Sequence, residues 1–227
     1  MKRILLFAAL MATSAPAATV YVSNERGATI SVIDAGTGQV TATWPVGKRP
    51  RGIHPSPDGK LVYVALSGSP NEGPPKLDAK GNPIPDDDDD DKPKADKAAD
   101  GIGVVDAATL TLQRVIRGVS DPEQLAVTHD GKQVFIASED TGTAIVLDTK
   151  DGHRVASIPT GGEPEGVSLT PDGKQVYVTS EADHRVSVID VASLKVAQKI
   201  EVGSRPRFTA FSADGTQAFV ANENDGS

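Results

Sequence analysis

The sequence repeats every 42 residues with one interruption of 30, and that period limits the fold more than any other feature. Asp-Gly falls at 58–59, 130–131, 172–173 and 214–215. The aromatic-aliphatic pairs starting at Tyr21, Tyr63, Phe135, Tyr177 and Phe219 keep the same spacing. So do Asp34, Asp106, Asp148 and Asp190, and so do Pro50, Pro122, Pro164 and Pro206. Each unit reads as four short strands rich in Val, Ile, Thr and aromatics, such as QVYVTS, RVSVID, KVAQKIEVG and PRFTAFSADG, with no helical periodicity. Asp-Gly is a strong hairpin signal. The Asp that ends SVID can accept hydrogen bonds from amides of the following turn. Strands such as AIVL are apolar on both faces, which suits a sheet covered on both sides. A repeat near 40 to 45 residues, four antiparallel strands per unit and covered faces predict an all-β fold, a β-propeller of four-stranded blades. A β-sandwich is the structural alternative, but it does not call for such a period.

The segment VYVSNERGATISVIDAGTGQVTATWPVGKRPRG, followed by PDGK, resembles the YVTN family of β-propeller repeats, and the likeness continues through every unit. Within that family the chain is most similar to secreted propellers associated with PQQ-dependent alcohol catabolism. Those relatives imply seven blades, more than about 300 residues, whereas 227 are present. The chain enters at VYVSN and stops at QAFVANENDGS, one strand into a further unit. The expectation is an incomplete ring of about four and a half blades, with an unprotected last strand.

MKRILLFAALMATSAPA opens with Lys2 and Arg3, continues through the apolar stretch Ile4–Met11 and closes on Ala15-Pro16-Ala17. This is the pattern of a secretory signal peptide over residues 1–17, placing the remainder, 18–227, in a periplasm or beyond it. No apolar stretch approaches the roughly 20 residues of a membrane span. A net charge of −8 argues against nucleic acid. The absence of Cys excludes disulfides, thiolate metal sites and cysteine nucleophiles.

In an antiparallel meander, successive loops alternate between the two ends of the sheet. With the strand that leads into Asp-Gly placed innermost, the loops carrying each Pro collect around the mouth of a central channel. That rim carries Arg49 and Arg51, Asp121 and Glu123, Glu163 and Glu165, then Arg205 and Arg207. Two readings stand: a dipolar mouth that binds a small anionic ligand or a complementary protein, or solvated pairs between adjacent blades worth ~0–1 kcal/mol each. A second ring of acids on the same face, Glu25, Glu139, Glu181 and Glu223, reads either as local loop capping or as an attractor for a basic partner.

The insertion at about 68–100 holds six Pro and the run Asp86, Asp87, Asp88, Asp89, Asp90 and Asp91, and its composition predicts disorder. The run could collect Ca²⁺ weakly, but the Gly and Glu of an EF-hand loop are missing. Otherwise it is a solvated tether or a dock for a basic protein. His54, His129, His153 and His184 fall on separated elements, and no HExxH, GxSxG or phosphate-loop pattern occurs. The expected function is therefore an exported, non-catalytic binding or scaffold propeller with no cofactor. The resemblance implies an accessory role in periplasmic PQQ-dependent alcohol oxidation, with a cytochrome or quinoprotein dehydrogenase as the basic partner. The alternative is a lactonase-type hydrolase with a divalent metal at the channel mouth, held by Glu123 and Glu165.

Overall fold

The computed structural model describes residues 18–70 and 94–227. The proposed signal peptide and the Asp86–Asp91 run lie outside those residues. Seventeen strands and one 3₁₀ turn, Glu139–Thr141, are present among them.

β1 (Thr19–Asn24), β2 (Thr29–Asp34) and β3 (Gln39–Pro45) form a three-stranded sheet. Three four-stranded sheets follow in strict sequence order. They are β4 (Pro50–Pro55) to β7 (Thr111–Ile116), with β5 at Leu61–Leu66 and β6 at Gly101–Asp106; β8 (Pro122–Val127) to β11 (Arg154–Pro159), with β9 at Gln133–Ser138 and β10 at Thr143–Asp148; and β12 (Pro164–Leu169) to β15 (Lys195–Glu201), with β13 at Gln175–Ser180 and β14 at Arg185–Asp190. β16 (Pro206–Phe211) and β17 (Ala218–Asn222) form a two-stranded sheet. All pairings are antiparallel, and each four-stranded sheet is one repeat unit offset by a strand, with the insertion lying inside the first of them.

The turns follow from their sequences. At Ser56-Pro57-Asp58-Gly59, the Gly59 amide bonds the Ser56 carbonyl at 2.9 Å, while Asp58 Oδ1 accepts from Ser56 Oγ and the Lys60 amide. Gly59 sits at φ 69°, a left-handed conformation that a Cβ disfavours. The arrangement recurs at Asp130, Asp172 and Asp214. Asp34, Asp106, Asp148 and Asp190 accept amide bonds from two or three residues on, opening the next turn as expected.

The core lies between sheets. Along β5, Val62, Val64 and Leu66 pack toward the first sheet with Ile30, Val46 and Trp44, whereas Tyr63 and Ala65 pack toward the third with Leu125, Val134 and Ile136. A third cluster joins Phe135, Ala144 and Val146 to Val167, Val176 and Ile189. Alternation of period 2 therefore persists while both faces are buried, which explains the continuous apolar runs.

Strands β4, β8, β12 and β16 lie side by side, as the innermost position requires. Their closeness depends on glycine. A Cβ on Gly166 would sit 2.5 Å from the Arg207 carbonyl and 2.9 Å from Phe208 Cα, and one on Gly52 would sit 2.6 Å from the Glu123 carbonyl. Those neighbours are backbone and cannot turn aside. Gly166→Ala is expected to lower unfolding free energy by about 1–3 kcal/mol, read by chemical denaturation. A loss below experimental error would mean that the inner strands are not held at this distance.

The two ends of the insertion are tied down, a departure from the disorder expected across 68–100. Asp100 is buried and accepts from the amides of Gly68 and Asp121. Arg117 also donates to the carbonyls of Ala98 and Asp100. A short acid that can satisfy two buried amides outweighs the polar composition around it.

Candidate functional site

Each loop that precedes an innermost strand carries its residue before Pro in the left-handed region: Arg49 at φ 40°, Asp121 at 41°, Glu163 at 49° and Arg205 at 57°. Each is a non-glycine residue in a conformation that costs about 1–2 kcal/mol. A backbone rung then repeats across the rim. The amides of Ser67, Glu139, Glu181 and Glu223 donate to the carbonyls of Arg49, Asp121, Glu163 and Arg205. These rungs fix the second ring of residues directly beside the first.

The side chains that alternate with the strained positions meet at the centre. Arg51 Nη2 contacts Glu123 Oε2 and lies 3.6 Å from Glu165 Oε1, and Arg207 Nη1 lies 3.0 Å from the same Glu165 oxygen. Arg207 also pairs with Glu181, which takes Arg205 Nε at 2.7 Å. Glu223 lies 3.4 Å from Arg205, and Glu25 pairs with Arg49 at 2.6 Å. The candidate residues of the inner ring therefore converge. Glu163 joins no ion pair among the described residues.

Two expectations about these charges need correction. The inner pairs are not solvated: Glu123 is 1% exposed and Glu165 7%, because Gly52 and Gly166 let the inner strands close over them. The outer acids do not merely cap their own loops either. Glu25 and Glu181 reach the arginine that precedes Pro in the following unit, 24 residues on.

Electrostatics follow from that burial. Desolvation, reinforced by the Glu165 charge, pushes the Glu123 carboxyl far above the ordinary range, and Arg51 opposes this only in part. Desolvation also raises Glu165 to about 7 against the pull of Arg207 and Arg51. Burial raises Glu139 as well. Glu165 is thus held by two arginines and is not free to serve with Glu123 as a metal ligand. His54 and His129, on separated elements in the sequence, line one groove of about 390 Å³ along the inner strands. Trp44 packs between the first two sheets.

Sequence reasoning missed the left-handed rim residues, since Gly or Asn is the usual signal for that conformation. It also left Asp121 and Glu139 outside the first rank of candidates. A signal was present: 24 residues after Glu25 and Glu181 stands an Arg, but 24 after Glu139 stands Glu163.

A family model described as YNCE-like beta-propeller matches residues 132–215. The chain superposes on Kuenenia stuttgartiensis hydrazine synthase with a TM-score of 0.68 and 24% identity, over 89% of this chain and 51% of that one. The blades described above and this superposition agree. This chain is a β-propeller.

A functionally unknown protein from Desulfotomaculum acetoxidans gives a TM-score of 0.69 at 13% identity, over 90% of the propeller described here and 59% of that chain. The propeller spans between half and three-fifths of the length of the two solved chains. No curated protein sequence matches it. At these identities the likeness establishes the fold, and function has to come from the rim.

Proposed function

We propose that this propeller is an exported, non-catalytic binding protein whose rim face docks a basic protein partner, in an accessory role to periplasmic PQQ-dependent alcohol oxidation. The observation that carries this is the direction in which the arginines are spent. Arg51 and Arg207 are turned inward onto Glu123, Glu165 and Glu181. The acids that still reach solvent on that face include Glu25, Asp140 and Glu223, between 39% and 51% exposed although each also touches a cation, Arg49, Lys97 and Arg205 in turn. A small anion would have to strip the arginines from buried carboxylates, which is costly. A basic surface needs only to approach exposed acids, gaining on-rate and register from complementary charge. The resemblance of YVSNE, VGKRPRG and the signal-like N-terminus to PQQ-associated propellers supports the pathway, and that N-terminus supports export.

The test is binding of a basic c-type cytochrome, followed by surface-based kinetics from 20 to 300 mM NaCl. Affinity is expected to fall at least tenfold across that range. The triple variant Glu25→Gln, Asp140→Asn, Glu223→Gln is expected to weaken it mainly through kon. Absence of binding at low salt, or affinity indifferent to the triple variant, would refute rim docking.

A further inference from the structure

The 42-residue repeat places a guanidinium against the second-ring acid in two units, as Glu25–Arg49 and Glu181–Arg205. In the unit of Glu139 the equivalent residue is Glu163, and the inner-ring neighbours are Asp121 and Glu123. A carboxylate oxygen from each of Asp121, Glu123 and Glu139 lies within 4.8 Å of the others. Like charges this close and this buried repel strongly unless something compensates them.

Part of the compensation is visible. Asp121 Oδ1 accepts from Ser67 Oγ, and its Oδ2 accepts from Ser69 Oγ at 2.6 Å. Glu123 Oε2 contacts Arg51. One atom is left over: Glu123 Oε1 is fully buried, has no donor, and belongs to a side chain that faces the Glu139 carboxyl. A buried acceptor without a donor is rare enough to require an explanation.

We propose that Asp121, Glu123 and Glu139 hold a hard divalent cation, Ca²⁺ in preference to Mg²⁺, where two other units hold an arginine. Three carboxylates beside one arginine leave two negative charges, which a divalent ion matches. An all-oxygen donor set selects hard cations over Zn²⁺ or copper. Oxygens no more than 4.8 Å apart can share one ion at the 2.3–2.6 Å Ca–O distance, and Ca²⁺ tolerates the irregular geometry that Mg²⁺ resists. A second acid-rich group among the described residues, Asp148, Asp151 and His153, lies at the surface with Asp148 half-buried, and its oxygens serve turn amides and His153. This inference is independent of rim docking.

The rival arrangement is a neutral Glu123 that donates to Glu139, with no ion at all. Glu123→Gln separates the two, because glutamine reproduces the donor and cannot replace the carboxylate. The full chain, stripped with EDTA, would be titrated with CaCl₂, MgCl₂ and MnCl₂ by calorimetry and by thermal unfolding. The wild type is expected to bind one Ca²⁺ per chain, with Tm rising roughly 5–10 °C at a hundredfold excess over Kd. Glu123→Gln is expected to unfold in EDTA at or above the wild-type Tm and to lose at least tenfold in Ca²⁺ affinity. Glu139→Gln should lose affinity too, whereas replacing Asp86 to Asp91 by Asn should leave the single site intact. A wild type without a stoichiometric ion overturns the proposal. So does a Glu123→Gln variant that binds as the wild type does, or loss of the site with the Asp run.

Discussion

Arg51→Ala is expected to lower unfolding free energy by about 3–5 kcal/mol near pH 8, among the largest effects of any single change in this propeller. Among the described residues, Arg51 is the one cation that reaches both Glu123 and Glu165. Its side chain is 14% exposed, and those of the carboxylates are 1% and 9%. Truncation leaves buried acids facing each other in a medium where water cannot screen them. Their remaining recourse is to take up protons, so the cost should shrink toward pH 5. Arg51→Met combined with Glu123→Leu should recover most of the loss, because an apolar pair of similar volume needs no charge compensation. Urea denaturation of the three proteins at pH 5 and pH 8 checks this. A loss under 1 kcal/mol at pH 8 would show that the pair is solvated after all.

The second large effect is a stability that declines as pH rises from 5 to 8. Glu165 has an ordinary value of 4.5 and is raised to about 7 by burial, against Arg207 and Arg51 and with Glu181 and Glu139 adding to the rise. Between those values the unfolded chain has released a proton that the folded chain keeps, so raising pH favours unfolding. The expected decline from Glu165 alone is of the order of 3 kcal/mol, complete near pH 7. Glu123 and Glu139, also raised, act in the same sense and extend it upward. His153, raised by the hydrogen bond it donates to Asp151, likewise loses its contribution as pH climbs.

The turn aspartates act elsewhere. Asp58, Asp130, Asp172 and Asp214 are held below the usual range by hydrogen bonds within their own turns. Their contribution is complete above about pH 4 and is lost only as pH falls further. Apart from the exposed His153, the window from 5 to 8 therefore reports the rim. Denaturation in EDTA at several pH values should show the slope, and Glu165→Gln should flatten it. A flat or rising wild-type profile would mean that the buried carboxyls keep ordinary values.

The repeat itself settled a great deal. Period, strand content, Asp-Gly turns and the identity of the innermost strand all follow from local alternation and turn chemistry, which neighbouring residues along the chain dictate. Even the convergence of Arg51, Glu123, Glu165 and Arg207 follows, because strand alternation alone puts the loops at one end. Tertiary structure decided how those charges live. Burial of Glu123 depends on how closely β4 approaches β8, and therefore on Gly52, 71 residues away along the chain. Glu25 and Glu181 find their arginine in the following blade, and at the same step Glu139 faces Glu163. The left-handed turn at four charged residues has no sequence signature, because the rungs and prolines around each one impose it. Pairing and desolvation are properties of neighbours in space, and a linear pattern specifies those only once the blades have closed on one another.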